Sequence, residues 1–199
     1  MTIDRARFEQ GLTYDAYKAQ MTRKLDRVEE NARRVQLRPE YIAAFRGLPR
    51  PLNVAVLAED WCGDVIANLP VLGRLAQESG RLNLRVFLRD QNDDLMQRYL
   101  NQGKYKSIPV FVFFDESFRE LGHWIERPAS VTELRAERRR GIFAAHPEFG
   151  APDAPVDQLP EDVRGLLQAE LQKMRDDTAS FANAEVVREI RDLVTRVAA

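Results

Sequence analysis

The sequence predicts an α/β fold in which helices flank a four-stranded mixed sheet, with further helices extending both ends of the chain. Short apolar runs alternate with helical patterns between residues 51 and 145, in the order β-α-β-α-β-β-α. A tight turn alone separates the last two strands, which predicts an antiparallel hairpin. A chain of 199 residues, 44% of them hydrophobic, is long enough to bury one sizeable core.

Residues 1–50 are predicted to be helical. Apolar residues recur there at three- and four-residue spacing, which places them on one helical face. They are Tyr14, Tyr17, Met21, Leu25 and Val28. We expect Pro39 to begin a second short helix and Pro49-Arg50-Pro51 to end it, because proline does not continue a helix.

Two strands and two helices are expected next. The first strand is a nearly continuous apolar run, as in strands that are buried on both faces. Along the chain the segments are a strand at 53–58, a helix from about Cys62 to Glu78, a strand at 84–88 and a helix at 93–101. Asn92 is a plausible cap for the second helix, and Gly103 a plausible stop.

The hairpin is predicted to comprise strands at 108–114 and 120–125 around Asp115-Glu116-Ser117. A helix then begins at Ser130 or Thr132 and continues into Arg138-Arg139-Arg140. The first three predicted strands are joined by two helices and so form two β-α-β units. Both connections should be right-handed, as such connections nearly always are.

The C-terminal part is expected to hold two helices after a segment rich in proline and glycine. Residues 146–160 read as a linker or a long loop on the surface, and the helices as 161–174 and 184–197. The last helix carries an apolar stripe, formed by Val187, Ile190, Val194 and Val197. This stripe is either a packing face against the core or a homodimer surface. The predicted division is therefore 1–50, 51–145, 146–160 and 161–199.

Composition excludes several classes of function. A net charge of −1 and a pI near 6.2 argue against nucleic acid as the main partner. The apolar run at 108–114 is far too short to cross a bilayer, and the N-terminus lacks the apolar region of a secretory signal. One cysteine and two histidines make a disulfide framework impossible and a zinc site improbable, so we expect a cytoplasmic protein without a metal.

The single cysteine lies in Trp61-Cys62-Gly63-Asp64-Val65. The segment opens like a thiol–disulfide redox site, in which a second cysteine would stand three residues after the first. Val65 occupies that position, so this chain cannot close a catalytic cycle with an internal disulfide.

Together with two prolines, this segment resembles the active-site region of the thioredoxin superfamily. Trp61-Cys62-Gly63 stands between a buried strand and a helix, and Pro70 lies eight residues after Cys62, like the proline inside the first active-site helix of the family. Ser107-Ile108-Pro109 precedes an apolar strand and looks like the family's cis-proline segment. The resemblance covers about residues 50–145 and implies a thioredoxin-like fold with Cys62 at the active site.

Three positions depart from the family pattern. Val65 replaces the second cysteine, Asp64 stands where many thioredoxins have proline, and Val56 stands where they bury an aspartate that assists the second cysteine. A Trp-Cys-Gly-Asp motif without the second cysteine is similar to a bacterial subgroup of thioredoxin-like proteins that also has an N-terminal helical extension.

Opposing charges surround the Cys62 thiol. Unpaired backbone N–H groups at a helix N-terminus favour the thiolate, whereas nearby carboxylates raise the thiol pKa. The carboxylates in question belong to Glu59, Asp60 and Asp64. Lys104 and Lys106 could offset them if they face the sulfur. We therefore expect a thiol of modest reactivity.

Two functions are compatible with this site. The first is a monothiol thiol–disulfide oxidoreductase, in which Cys62 forms mixed disulfides that a small external thiol resolves. The second is a redox-inactive binding module that holds a peptide or protein in the groove near Trp61 and Pro109. In both cases the expected substrate-binding residues are Trp61, Gly63, Asp64, Ile108 and Pro109.

Overall fold

A computed structural model describes residues 3–152 and 155–198, with side chains described up to residue 196. The helices are α1 (Arg5–Gln10), α2 (Tyr14–Gln20), α3 (Leu25–Arg34), α4 (Pro39–Arg46), α5 (Gly63–Ser79), α6 (Asp93–Met96), α7 (Ala129–Ala145), α8 (Glu161–Asp177) and α9 (Ala179–Ala198). The strands are β1 (Leu52–Ala58), β2 (Leu82–Leu88), β3 (Val110–Phe114) and β4 (Glu120–Ile125). Short 3₁₀ turns cover Arg89–Gln91, Pro147–Phe149 and Val156–Gln158.

The four strands form one mixed sheet in the order β2-β1-β3-β4, which confirms the predicted fold class. β1 runs parallel to β2 and antiparallel to β3, and β3 and β4 form the predicted antiparallel hairpin. Because β2 and β3 therefore run in opposite directions, only the β1-α5-β2 connection joins parallel strands. The expectation of two right-handed crossings was wrong for the second connection, since that rule applies to parallel strands.

The N-terminal region is helical, but the predicted single helical face is interrupted. α2 ends before Met21, and α3 begins after Lys24, whose φ of 55° lies in the left-handed region. The backbone N–H groups of Thr22 and Arg23 donate to Oδ2 of Asp60, at 2.8 and 3.1 Å. These bonds stabilise a turn where the apolar spacing alone predicts continuous helix. α4 begins at Pro39 as expected.

α5 continues through Pro70, which has no N–H to donate to the carbonyl of Ile66 four residues earlier. That carbonyl instead accepts a hydrogen bond from Nδ2 of Asn31 on α3, at 2.8 Å. The backbone acceptor that proline leaves unpaired is thus satisfied by a side chain from another helix. This bond lets an uninterrupted helix follow Cys62.

α6 is much shorter than the predicted helix at 93–101. After Met96 the chain turns, and the Tyr99 ring is buried while its hydroxyl donates to Oε2 of Glu120, at 2.9 Å. Asn92 stands at the predicted cap position of α6, but its side chain accepts no N–H of the helix. Its Nδ2 donates to the carbonyl of Leu88 at 2.9 Å. The burial of the Tyr99 ring and its long-range hydrogen bond to Glu120 override the local helical pattern.

The chain divides into two compact units, Met1–Arg127 with Val186–Ala199, and Pro128–Glu185. The first unit contains the sheet and its core. The second has its own apolar cluster, in which Phe143, Phe149 and Leu167 are buried. Phe149 belongs to the segment predicted as a linker or surface loop; Asp153 and Ala154 of that segment lie outside the described residues.

The apolar stripe on α9 is buried within the first unit. Val187, Ile190 and Val194 are at most 2% exposed and belong to the main core, as does Val186. The fourth predicted member, Val197, lies outside the described side chains. The stripe is therefore a packing face. Among the described residues, no helix is long and apolar enough to span a membrane.

Candidate functional site

Cys62 lies in the short connection between strand β1 and helix α5. β1 ends at Ala58, and Cys62 is the residue that immediately precedes α5. Its side chain is half-buried, whereas Trp61 is 38% exposed. A Cβ at Gly63 would meet no atom within 4 Å outside its own chain neighbours and helix backbone, so the space at the start of α5 is open.

The structure brings the predicted proline segment next to Cys62. Cys62 Sγ donates to the carbonyl oxygen of Ile108 at 3.4 Å, and the Ile108–Pro109 peptide bond is cis. Ile108 and Pro109 are buried where the chain enters β3. Residues that are 46 positions apart in the sequence are thus in contact.

Burial is the main influence on the thiol, and it raises the pKa of Cys62. The backbone N–H groups of Val65 and Asp64 oppose this rise, while the carboxylates of Asp64 and Glu126 add to it. A half-buried thiol whose pKa is raised in this way stays largely protonated at neutral pH.

Two of the three carboxylates expected to act on Cys62 accept hydrogen bonds from backbone N–H groups. Asp60 accepts the α2–α3 turn amides, and Oε1 of Glu59 accepts the N–H of Asp90 at 2.8 Å. Burial raises the pKa of Glu59, and that hydrogen bond opposes the rise.

The lysines expected to offset these carboxylates are also engaged elsewhere. Lys106 pairs with Asp93, and the Lys104 ammonium lies 5.1 Å from the centre of the Tyr105 ring. Neither lysine is among the main causes of the Cys62 pKa shift.

Sequence reasoning missed the charged cluster that flanks Cys62. Arg127 Nη1 contacts both carboxylate oxygens of Asp64, at 3.1 and 2.9 Å, and its Nη2 contacts Glu126. Nδ2 of Asn101 donates to the other Glu126 oxygen at 2.8 Å. The hairpin register was the available signal, because Val110 pairs with Ile125 and this places residues 126–127 beside Pro109.

Trp61 forms the other side of the site. The Arg89 guanidinium lies over its ring, 4.7 Å from the centre, and Lys24 Nζ donates to its carbonyl at 3.2 Å. Arg89 also donates to the carbonyl of Lys106 at 3.3 Å. Arg89 also pairs with Asp90, so acidic as well as basic groups lie on the Trp61 side of the site.

The two positions that distinguish this chain from a dithiol enzyme hold buried valines. Val65 and Val56 are each 0% exposed and belong to the main core. Neither a second thiol nor an acid can act from these positions. Among the described residues, no group of three or more His, Cys, Asp and Glu side chains could hold a metal ion.

Comparisons with known proteins agree with this architecture. A family model described as thioredoxin matches residues 11–139, which is more than half of the chain. The structure is similar to that of a protein of unknown function from Pseudomonas aeruginosa, at 18% identity, with a TM-score of 0.65 and 98% of each chain covered. It is also similar to an HIV epitope-scaffold, at 17% identity, with a TM-score of 0.64 and coverage of 97% of this chain and 98% of that one. No curated protein sequence matches significantly.

Proposed function

This chain belongs to the thioredoxin family, and from that premise we propose that it is a monothiol thiol–disulfide oxidoreductase acting through Cys62. The observation that carries the proposal is the place of the only cysteine. It precedes α5 directly, is half-buried, and lies 3.4 Å from the Ile108 carbonyl.

The reaction is an exchange of sulfur partners. The Cys62 thiolate attacks one sulfur of a partner disulfide, so that one S–S bond forms while another breaks and the second half leaves as a thiolate. A small external thiolate then attacks the partner's sulfur of the mixed disulfide, so that Cys62 leaves as a thiolate and the partner half forms a disulfide with the small thiol. The low-molecular-weight thiol is a co-substrate, and no net oxidant or cofactor is consumed.

An external thiol is needed because the chain offers no internal one. Val65 fills the position of a resolving cysteine and is fully buried. Val56, equally buried, fills the position of the assisting acid. An apolar core under the active site is consistent with monothiol chemistry.

The substrate segment is proposed to lie across the groove beside Cys62. Trp61 would contribute an exposed apolar wall, and Ile108 and Pro109 the backbone against which an extended segment pairs. The open space beside Gly63 leaves room for the partner, and we expect Asp64, the next residue of α5, to contact it.

The physiological setting is also a proposal. The Trp-Cys-Gly-Asp motif suggests a bacterial subgroup of the family and a reducing cytoplasm, with thiol- or disulfide-bearing proteins or small thiols as partners. The near-neutral net charge favours neither nucleic acid nor a membrane surface as a partner. A homodimer through the C-terminal helices stays a prediction, although the α9 stripe is occupied by the core.

One observation favours a second candidate, a redox-inactive binding module. Burial and two carboxylates raise the Cys62 pKa, so the reactive thiolate is scarce at neutral pH. In that case the groove near Trp61 and Pro109 would hold a peptide without covalent chemistry.

The two candidates differ in one turnover experiment. A peptide carrying a mixed disulfide is incubated with excess small thiol and a catalytic amount of the protein. The monothiol proposal expects faster release of the peptide thiol, lost in Cys62→Ser and Cys62→Ala. Equal release with and without the protein, together with peptide binding that survives Cys62→Ser, would favour the binding module. Neither candidate reduces insulin efficiently with a dithiol reductase as electron donor.

A further inference from the structure

Glu126 is held in place by its backbone. Its φ of 63° lies in the left-handed region, which costs energy for a residue other than glycine. Its N–H donates to the carbonyl of Pro109 at 2.8 Å, and its own carbonyl accepts from Nδ2 of the buried Asn68, also at 2.8 Å. These bonds stabilise an unfavourable conformation directly beside the Cys62 site.

The Glu126 side chain, like its backbone, is held by specific contacts. One carboxylate oxygen contacts Arg127, and the other accepts from Asn101 at 2.8 Å. The side chain is 20% exposed, so it combines fixed partners with access to solvent. A carboxylate held in this way keeps its charge at a constant position.

Two carboxylates lie on this side of Cys62. Asp64 and Glu126 both pair with Arg127. Both carboxylates act on the Cys62 sulfur in the same direction. Lys24 and Arg89 contact Trp61, and Arg89 is itself paired with Asp90.

We propose that Glu126 is a specificity-determining residue, which together with Asp64 directs Cys62 toward cationic or neutral disulfides and against anionic ones. The proposal rests on the exchange reaction above for its biological meaning. Its physical content, a charge preference of the Cys62 thiolate, does not depend on turnover. The exchange step itself breaks one S–S bond and forms another, so it needs no further reactant.

The test compares three symmetrical disulfides: cystamine is cationic, 2-hydroxyethyl disulfide is neutral and 3,3′-dithiodipropionate is anionic. Rate constants for mixed-disulfide formation are measured by intact mass at low salt and divided by those of a free cysteine peptide. All probes react with the same thiolate, so their ratios do not depend on the thiol pKa. We expect the cationic-to-anionic ratio to fall about five- to tenfold in Glu126→Gln, and the difference to shrink at high salt.

Two further variants make the test specific. Glu126→Asp keeps the charge and should retain the wild-type ratio. Glu116→Gln removes a carboxylate from the far end of the same hairpin and should change nothing. An unchanged ratio in a folded Glu126→Gln variant would overturn the proposal.

A second readout separates this proposal from the proposed function. Iodoacetate is anionic and iodoacetamide is neutral, and both alkylate Cys62 without any exchange chemistry. We expect Glu126→Gln to raise the iodoacetate-to-iodoacetamide rate ratio about two- to fourfold. This is the effect expected when one screened negative charge near the sulfur no longer repels the anionic reagent. If this ratio rises while no disulfide forms an adduct, the exchange function fails and the charge preference stands. If disulfides react but neither ratio changes, Glu126 has no such role.

Discussion

Cys62 combines features that act in opposite directions on its reactivity. Its position before α5 supplies backbone N–H groups that favour the thiolate, while burial and two carboxylates favour the thiol. A stabilisation of about 0.3–1 kcal/mol from a helix N-terminus is small against the cost of burying a charge. The balance therefore lies with the protonated form.

The first prediction concerns the pH dependence of Cys62. Because its pKa is raised, the rate of alkylation by iodoacetamide should increase with pH through an inflection above the ordinary thiol value of about 8.5. The same chain unfolded in urea provides the control, since its only thiol is then solvated. An inflection below pH 8 in the folded protein would contradict this description of the site.

Among the residues that surround Cys62 in space, the sequence identified those that are also close along the chain. It did not identify those that are remote along the chain and follow no family pattern. Trp61, Gly63 and Asp64 are its neighbours, and Ile108-Pro109 follows a recognisable family pattern. Glu126 lies 64 positions away and becomes adjacent only when β3 and β4 pair in a particular register. Carboxylates close in sequence, such as Glu59, instead bind backbone N–H groups.

Among the elements, α5 depends on a contact that no local pattern reveals. Pro70 leaves the carbonyl of Ile66 without its helical donor, and Asn31 on α3 supplies the missing hydrogen bond. A half-buried carbonyl left unpaired costs about 1–3 kcal/mol. The contact therefore contributes to the helix that presents Cys62.

The second prediction is a double-mutant cycle at this contact. Asn31→Ala should destabilise the protein by about 1–3 kcal/mol, measured by urea unfolding, because the Ile66 carbonyl loses its donor. In a Pro70→Ala background the new N–H of residue 70 can pair with that carbonyl. Asn31→Ala should then reduce the free energy of unfolding by about 0.5–2 kcal/mol less than it does in the wild-type protein. Equal costs in both backgrounds would show that Asn31 does not compensate for the proline.

The third prediction uses two glycines of the same helix. A Cβ at Gly73 would come within 2.5 Å of Cε1 of Tyr14, whereas one at Gly63 would meet nothing within 4 Å. Gly73→Ala should therefore destabilise by about 1–3 kcal/mol through overpacking. Gly63→Ala should be neutral or stabilise by up to about 1 kcal/mol. Thermal unfolding of both variants checks this; similar midpoints would contradict the close contact between α2 and α5.

Strand prediction succeeded where one physical signal dominates. β4 has the predicted bounds, and β1 differs from its prediction by one residue, because apolar runs and a tight turn define them locally. Prediction failed at the α2–α3 turn and at the end of α6, where Asp60 and Glu120 form long-range hydrogen bonds. No pattern within one segment carries that information.

On the scale of the whole molecule, the C-terminal residues complete the core that supports the site. Val186, Val187, Ile190 and Val194 lie in the same apolar cluster as β1 and β3. Trp124 of β4 stacks on Phe111 with ring centres 5.0 Å apart, and its Nε1 donates to Glu189 at 2.8 Å. Residues of the C-terminal helix and of the sheet thus share one core, as the packing-face interpretation of the α9 stripe predicts.

The fourth prediction tests this contribution. Ile190→Ala should cost about 2–5 kcal/mol, because it leaves a cavity at a fully buried position. Thr195→Ala on the same helix is exposed and should stay within about 0.5 kcal/mol of wild type. Chemical unfolding of both variants provides the measurement, and an equal, small effect would show that α9 is not part of the cooperative unit.

The proposed function requires one covalent event that the chain's only thiol must perform. Intact-mass spectrometry of the protein mixed with a neutral disulfide follows this event directly. We predict a single adduct, absent in Cys62→Ser, which forms faster as pH rises and is removed completely by a small external thiol. Failure of Cys62 to form any adduct, up to a pH at which a free cysteine peptide reacts fully, would contradict monothiol exchange.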